Sequence, residues 1–573
     1  MLEISPLYHE RIDDIPALIG VCQRLRLPEV VNRHLGTHGL QDGFNNGQLC
    51  VGWLSYILSQ GTHTKVGVEE WAQRRRHSLG QLLQHPLRPG EFGDDRLARL
   101  LHRLSQDHRW EPLEAELWSA TLVVHEICLE GVRLDSTTSY GHHQIRETGI
   151  MQWGHSKDHR PDLPQLKLMA AAAEPSGHLI ASDIYSGQRA DDPLYTPLIR
   201  RVRAILGRKG LLYSGDCKMS ALETRSELVQ AGDFYLMPLA LTGKQAETFE
   251  QWVTTVVTGE EPATLIWDDK VLLGAGYELE RWQSFSQNQP ELGWSERVLL
   301  VRSLSLAHSQ QESLERRLDS AKTALLALTP APGRGKRQIR TLSALNQHIE
   351  KILSRYGVAN LLQITWQVHQ TTHKRYQGRG RGSPSRPFTE TVTLRYVITA
   401  VEWLPNAILE ASYRLGWRVL LTNVPQQKLS LAQAVCHYRG GWCLERDFHL
   451  IKDLPLGLSP LFVYKDDQIK GLTRLLTLAL RLMTLIEIQV RQGMKQDKVK
   501  LTGLYEGQPN RLSNSPSAKR ILKAFSRAEI TLTRVQIGKT VYWQVTPLSP
   551  LLQTLLRYLQ LSDSLFNNLT DNS

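Results

Sequence analysis

At 573 residues the chain is long enough for three or four domains, each with an ample core, and its 41% hydrophobic and 22% charged residues exclude a disordered or fibrous protein. Six scattered cysteines without paired CxxC spacing exclude a zinc ribbon or a disulfide framework and make a reducing cytoplasm the simplest home. The formal charge of +11 favours a polyanionic partner, although charge alone does not identify nucleic acid.

The opening MLEISPLYHERIDD carries acids where a secretory leader would be basic and then apolar, so no signal peptide is expected. The first 125 residues read as a helical unit with periodic stretches near 46–60, 67–84, 93–105 and 110–125. Its basic run QRRRH, residues 73–77, is either a phosphate contact or a solvated helix face; no helix-turn-helix pattern accompanies it. Strands are predicted near 130–135, 166–174 and 179–186, then a helix near 193–206, a strand near 210–216, a helix near 219–231 and a strand near 233–240. Beyond these come helical patterns at 307–328 and 341–356 and apolar alternation in LLQITWQVHQ and TVTLRYVITAVEW. Two basic linkers, APGRGKRQIR (331–340) and QGRGRGSPSRP (377–387), read as loops over a DNA backbone or as plain hairpin tips. Ser430 to Asp453 reads as one helix with Ser430 as its N-cap. The apolar helix at 472–490 contains Arg474, Arg481 and Glu487, which marks it as buried rather than membrane-spanning. Residues 491–573 show a helix-strand pattern with an apolar LSPLLQTLLRYLQL run, which pairs two subunits or, on the plainer reading, is a buried core helix.

Three acids stand out. Asp135 in GVRLDSTTS and Asp216 in LLYSGDCKM each close a short apolar run, which places a carboxylate at the rim of a sheet, where open α/β sheets bind ligands. Strand-terminal Asp also serves simply as a turn or helix cap. Glu445 lies in YRGGWCLERDFHLIKD; at about 100° per residue Tyr438, Glu445 and Lys452 share one helix face, beside Trp442, Phe448 and Ile451. An acid on a packed face is costly unless paired or metal-bound, and Lys452 is too distant for i,i+4 pairing. No phosphate-cradling loop is present: the nearest approach, GLLYSGDCK, has Asp216 where a Walker lysine belongs, so no nucleotide cofactor is expected.

These residues together resemble a DDE transposase of a bacterial insertion sequence, in the large group with a Tyr-Arg-Glu-Lys signature around the catalytic Glu. Tyr438, Glu445 and Lys452 match that signature, whereas Gly441 occupies its Arg position; Arg439 and Arg446 are the candidates for the missing charge. The segment GHSKDHRPDLPQ, residues 154–165, resembles a hallmark of one subgroup, sited between the first two strands of the catalytic core. The resemblance reaches to about residue 480 and implies an α/β, ribonuclease-H-like mixed sheet with helices on both faces, interrupted by a largely β insertion domain. The implied division is a helical N-terminal domain (1–125), the first part of the core (126–245), the insertion (246–420), the second part carrying Glu445 (421–490) and a C-terminal domain (491–573).

By the same resemblance, Asp135, Asp216 and Glu445 bind two Mg²⁺ ions, with Mn²⁺ as a substitute, for hydrolysis at the transposon ends and then strand transfer. Tyr438, Lys452, Arg439 and Arg446 are the implied DNA contacts. In the 154–165 loop, His155, Lys157, His159 and Arg160 either hold phosphates or form a polar hairpin in which Asp158 and Asp162 satisfy them. Trp366 and Trp403 are candidates for holding a flipped base, against the plainer reading of core residues. The implied partners are double-stranded DNA, as ends and as target, and a second copy of the chain in the synaptic complex, with no membrane. Two rival readings stay open: a catalytically silent transposase-derived DNA-binding protein, and a ribonuclease-H-like nuclease without strand transfer.

Overall fold

In the computed structural model, which describes residues 8–36, 42–286, 289–378, 385–537 and 540–570, the chain divides into two compact units. The first comprises Met1–Met237, Ser284–Trp294 and His437–Ser573; the second comprises Pro238–Gln283 and Ser295–Cys436.

The first unit begins with strand β1 (Tyr8–Arg11) and the helices α1 (Ile15–Arg24), α2 (Leu27–Leu35), α3 (Asn46–Gln60), α4 (Val68–Gln73), α5 (Arg76–Leu82), α6 (Asp94–Leu104) and α7 (Asp107–His125). The single periodic stretch expected at 67–84 is thus two short helices. The QRRRH run sits at their junction, where Arg74 pairs with Glu70, Arg75 donates to the Trp71 carbonyl (3.1 Å) and Arg76 to the Leu87 carbonyl (2.9 Å). His77 stacks on Trp543 at 3.8 Å.

Five strands follow: β2 (Leu129–Tyr140), β3 (Gln165–Pro175), β4 (Leu179–Ser186), β5 (Leu212–Ser214) and β6 (Phe234–Pro238), with α8 (Tyr195–Leu206) and α9 (Leu222–Gln230) between them. Their spatial order is β4-β3-β2-β5-β6; β2, β3 and β4 run antiparallel, while β5 runs parallel to both β2 and β6. This is the mixed, ribonuclease-H-like arrangement expected from the sequence. β3 is buried along nearly its entire length, which its run of small residues, Ala170 to Ala173, permits.

The helix expected from Ser430 to Asp453 is broken in two. Ser430 does cap it, exchanging hydrogen bonds with Gln433 (3.3 and 2.9 Å), but the first segment, α14, ends at Arg439 (Leu431–Arg439) and the second, α15, spans Trp442–Lys452. Adjacent glycines, Gly440 and Gly441, are poor helix formers and occupy the break. Behind α15 runs α16 (Asp466–Asp497), which packs on α3, α6, α15 and β4. Its internal charges are paired: Arg474 bonds the Leu104 carbonyl (2.8 Å) and Asp107, and Arg481 meets Glu114, which is fully buried. Among the described residues no helix is long and apolar enough to cross a membrane. The C-terminal α17 (Ala518–Arg527), β13 (Thr531–Ile537), β14 (Thr540–Val545) and α18 (Pro550–Tyr558) complete the unit; β1 pairs with β13, and α18 buries Leu552, Leu555 and Leu556.

The second unit holds β7 (Thr264–Asp268), β12 (Trp417–Thr422) and most of β8 (Val271–Ser286) and β9 (Gln289–Ser303), in the order β12-β9-β8-β7. Helices α10 (Lys244–Val257) and α13 (Pro405–Tyr413) belong to the same unit, and helices α11 (Leu304–Leu328) and α12 (Leu342–Tyr356) form a core with the base of a two-stranded ribbon, β10 (Leu362–Tyr376) and β11 (Phe388–Trp403). The 331–340 linker is an exposed loop beside β11, where the Tyr396 amide donates to the Ile339 carbonyl (3.0 Å). Much of the 377–387 linker lies outside the described residues.

Candidate active site

Successive strand side chains point to opposite faces, so Arg133, Asp135, Thr137 and Ser139 share one face of β2. Asp135 lies mid-strand, not at the strand end that its apolar run suggested. β2 pairs with β3 throughout but with β5 only at Gly131–Leu212, Val132–Tyr213 and Arg133–Ser214. β5 then leaves the sheet at Gly215, where a Cβ would come within 2.6 Å of Met219 Sδ and 3.1 Å of the Leu134 carbonyl. Extending the parallel register by two residues sets Asp216 beside Asp135. The two carboxylates therefore meet where the parallel part of the sheet ends.

Asp216 is fixed from one side: its Oδ1 accepts from the Tyr195 hydroxyl (2.6 Å) and the Lys218 amide (2.9 Å). Burial, then the Asp216 and Asp135 charges, hold the Tyr195 phenol well above its usual range, so it remains a donor. Asp135 accepts from the Ser136 amide (2.6 Å) and faces Lys157 Nζ at 3.5 Å. Burial pushes its carboxyl up to about 6; Lys157 opposes that shift and the Asp216 charge adds to it. Two adjacent hard-oxygen donors, one of them under-compensated by cations, suit a hard divalent cation that keeps waters for a phosphate.

The 154–165 loop splits its cations. Lys157 turns inward, bonding Ser136 O and Oγ (both 2.7 Å) as well as facing Asp135. Arg160 is held by both carboxylate oxygens of Asp162 (2.8 and 2.7 Å) and lies over the Tyr140 ring, while His155 and His159 are exposed. Asp158 serves the helix instead of the loop: it takes Lys452 Nζ at 2.5 Å and Thr138 Oγ1 at 3.3 Å.

α15 packs on β2. It buries Leu444, Phe448 and Ile451, and on another side it sends Lys452 to Asp158, with Glu445 two turns earlier and exposed. The break at Gly440 and Gly441 removes Tyr438 from the continuous face that seven-residue spacing implied. Among the described residues no three His, Cys, Asp or Glu side chains stand close enough to hold a metal ion, so Glu445 is not gathered with the two aspartates. Arg446 bonds Asp447 (2.8 Å) and Glu487 (3.0 Å), and Arg439 is exposed.

Sequence reasoning missed four neighbours. Arg133 lies beside Gly441, where a Cβ would come within 2.6 Å of its Nη1, and its guanidinium sits 5.7 Å from the Tyr438 ring centroid. It donates to the His437 carbonyl (3.1 Å) and pairs with Glu174, which also meets His437 Nε2 at 2.8 Å. A guanidinium thus stands beside Gly441, brought by β2 and not by the helix; its only sequence signal was its place two residues before Asp135. Tyr195 had no signal, because nothing local links it to Asp216.

Trp366 and Trp403 are each 36% exposed in the second unit, Trp366 with its ring centroid 5.5 Å from that of Tyr396.

A solved structure that resembles the chain is the cryo-EM structure of a piggyBac transposase synaptic complex with hairpin DNA, at 8% identity and a TM-score of 0.35, covering 99% of this chain and 88% of that one. No curated relative matches the sequence. The family model of the transposase DDE domain matches residues 128–482, a span that includes Asp135, Asp216 and Glu445 and exceeds half the chain; the protein belongs to the DDE transposase family.

Proposed function

We propose that this transposase serves a bacterial insertion sequence, cutting DNA at its terminal inverted repeats and joining the ends to target DNA by a cut-and-paste route. The observation that carries the reading is the pair of carboxylates at the end of the parallel strands, Asp135 raised to about 6 beside Asp216. Asp135 and Asp216 hold the metal, and Glu445 completes the set from α15 when DNA is bound. Two Mg²⁺ ions, replaceable by Mn²⁺, would activate the attacking water or 3′-hydroxyl and neutralise the leaving oxygen. Tyr195 keeps Asp216 oriented through its hydroxyl. Lys157 stands ready to exchange its contact with Asp135 for a phosphate oxygen, and Lys452 to exchange Asp158. His155, His159, Arg160, Tyr438, Arg439 and Arg446 contact the DNA around the cut. Residues 1–125 engage the ends, and two copies act together in the synaptic complex, in the bacterial cytoplasm at the nucleoid.

The test is nicking of a labelled duplex carrying the element's terminal repeat in Mg²⁺, Ca²⁺ or EDTA, by wild type, Asp135→Ala and Glu445→Ala. Cutting at the repeat boundary that needs Mg²⁺ and both carboxylates supports the reading. Cutting by Glu445→Ala removes that residue from the site. Binding without cutting in every metal selects the silent DNA-binding reading, which the exposed position of Glu445, outside any three-ligand group among the described residues, favours.

A further inference from the structure

The ribbon in the second unit is amphipathic along its length. Directly opposed residues of antiparallel strands share a face, so the pairs His369–Arg395, Thr371–Thr393, His373–Thr391 and Arg375–Thr389 form one face. The pairs Val368–Tyr396, Gln370–Leu394, Thr372–Val392 and Tyr376–Phe388 form the other, which also carries Lys374 opposite Glu390. At the base, Ile364, Tyr396 and Ile398 are packed into the core with α11 and α12. Beyond that base every residue of β10 from Thr365 to Arg375 is exposed, as are Thr389 and Thr391 of β11, while Thr393 and Arg395 are half-buried.

The two faces differ in charge as well as polarity. On the first, His369, His373 and Arg375 alternate with threonines, Arg395 is half-buried, and this face carries no carboxylate from Gln367 to Arg375 or opposite them. The ribbon's outer carboxylate, Glu390, is on the other face and is paired with Lys374 at 3.3 Å. His369 and Arg395 stand directly opposite each other, and the Arg395 guanidinium donates to the Pro330 carbonyl (3.4 Å), so the outward basic side chains of this face are His369, His373 and Arg375. Beside β11 the 331–340 loop adds Arg334, Lys336 and Arg337, all exposed, again without an acid.

We propose that this His/Thr/Arg face is a duplex-DNA reading surface, laid into the major groove. The groove, about 12 Å wide, admits a two-stranded ribbon. The eight steps from Gln367 to Arg375 extend ~27 Å, somewhat less than one helical turn of B-DNA. Arginine side chains on such a face reach guanine N7 and O6, threonine methyls meet thymine methyls, and the loop cations lie along the flanking phosphates. The proposal rests on the transposase reading and adds to it where base sequence is read, at a distance along the chain from any of the three acids.

The test uses the full-length chain and two variants with matched charge change, one on each face: His373→Glu/Arg375→Glu and Thr372→Glu/Lys374→Glu. Binding of a fluorescent duplex and of its single strand is measured across a salt series, together with dimethyl sulfate protection of guanine N7. Thermal unfolding confirms that both variants fold. We expect the first variant to weaken duplex binding at least about tenfold, to lower the salt slope and to lose N7 protection; the second should stay within about twofold of wild type. Equal losses in both variants, no loss in the first, or the same loss on single strand would overturn the ribbon assignment. Wild type that nicks DNA while His373→Glu/Arg375→Glu binds normally sinks the ribbon alone. Wild type that shows ribbon-dependent N7 protection but nicks in no metal sinks the catalytic reading alone.

Discussion

Placing an arginine at position 441, where the resembled signature carries one, should damage this protein. Any Cβ there meets Arg133 Nη1 at 2.6 Å, well inside the normal contact limit. The guanidinium is not free to swing away, because it pairs with Glu174 and bonds the His437 carbonyl, and both side chains of that pair are about nine-tenths buried. A shift that keeps the ion pair costs about 1–3 kcal/mol, the range for an overfilled site, whereas breaking the pair costs about 3–5 kcal/mol because Glu174 is left uncompensated. Gly441→Ala should therefore lower the Tm by several degrees, and Gly441→Arg, which adds a second guanidinium beside the first, by more. Glu174 and His437 would shift with Arg133, moving the start of α15, so nicking should fall with the Tm. The double variant Arg133→Ala/Gly441→Arg opens the space and should recover at least about 1 kcal/mol of coupling in a double-mutant cycle. Thermal unfolding and nicking of the four proteins decide the matter. A Gly441→Ala protein with unchanged Tm and activity would refute the close contact, and additive single effects would refute the exchange of one arginine for the other.

Three further outcomes follow from the same geometry. Asp14 is buried, accepts from Ser59 Oγ at 2.7 Å and has its carboxyl pushed up to about 7 by burial. The folded state therefore binds that proton more tightly than the unfolded chain, and the resulting stability is complete at low pH and lost as pH rises through about 7, by up to ~4 kcal/mol. Asp14→Asn keeps the acceptor, so it should raise the Tm at pH 8 but not at pH 4; equal shifts at both would contradict the assignment. Glu114, fully buried against Arg201 and Arg481, should cost about 3–5 kcal/mol when changed to Ala, read as a large Tm loss, and a surface-like response would show that the pairing is not structural. Mg²⁺ added at about a hundredfold its Kd should stabilise wild type by ~2.7 kcal/mol, a gain that EDTA reverses and Asp135→Asn lacks; an equal gain in that variant would move the ion elsewhere.

Local patterning by itself determined most of the elements. Apolar runs bounded by turns located β3 and β4, and 3.6-residue periodicity located α3, α8, α11, α12 and the buried α16, because strand and helix periods are properties of the chain alone. The acids Asp135 and Asp216 were legible for the same reason, being polar residues after apolar runs. What local patterning misjudged were junctions: the split of 67–84, the length of β2 past Asp135, and the interruption of the 430–453 helix at Gly440 and Gly441. At Gly441 the deciding contact comes from Arg133, more than three hundred residues away in the chain, and no periodicity carries that information.

The tertiary structure alone decided which charges meet. Parallel pairing of β2 with β5 brings Asp216 level with Asp135, and the packing of α8 adds Tyr195. The α15–β2 contact assigns Lys452 to Asp158 instead of to Glu445. Electrostatic interaction depends on distance and burial, which follow from pairing register and layer packing, whereas a sequence lists only the groups available to interact.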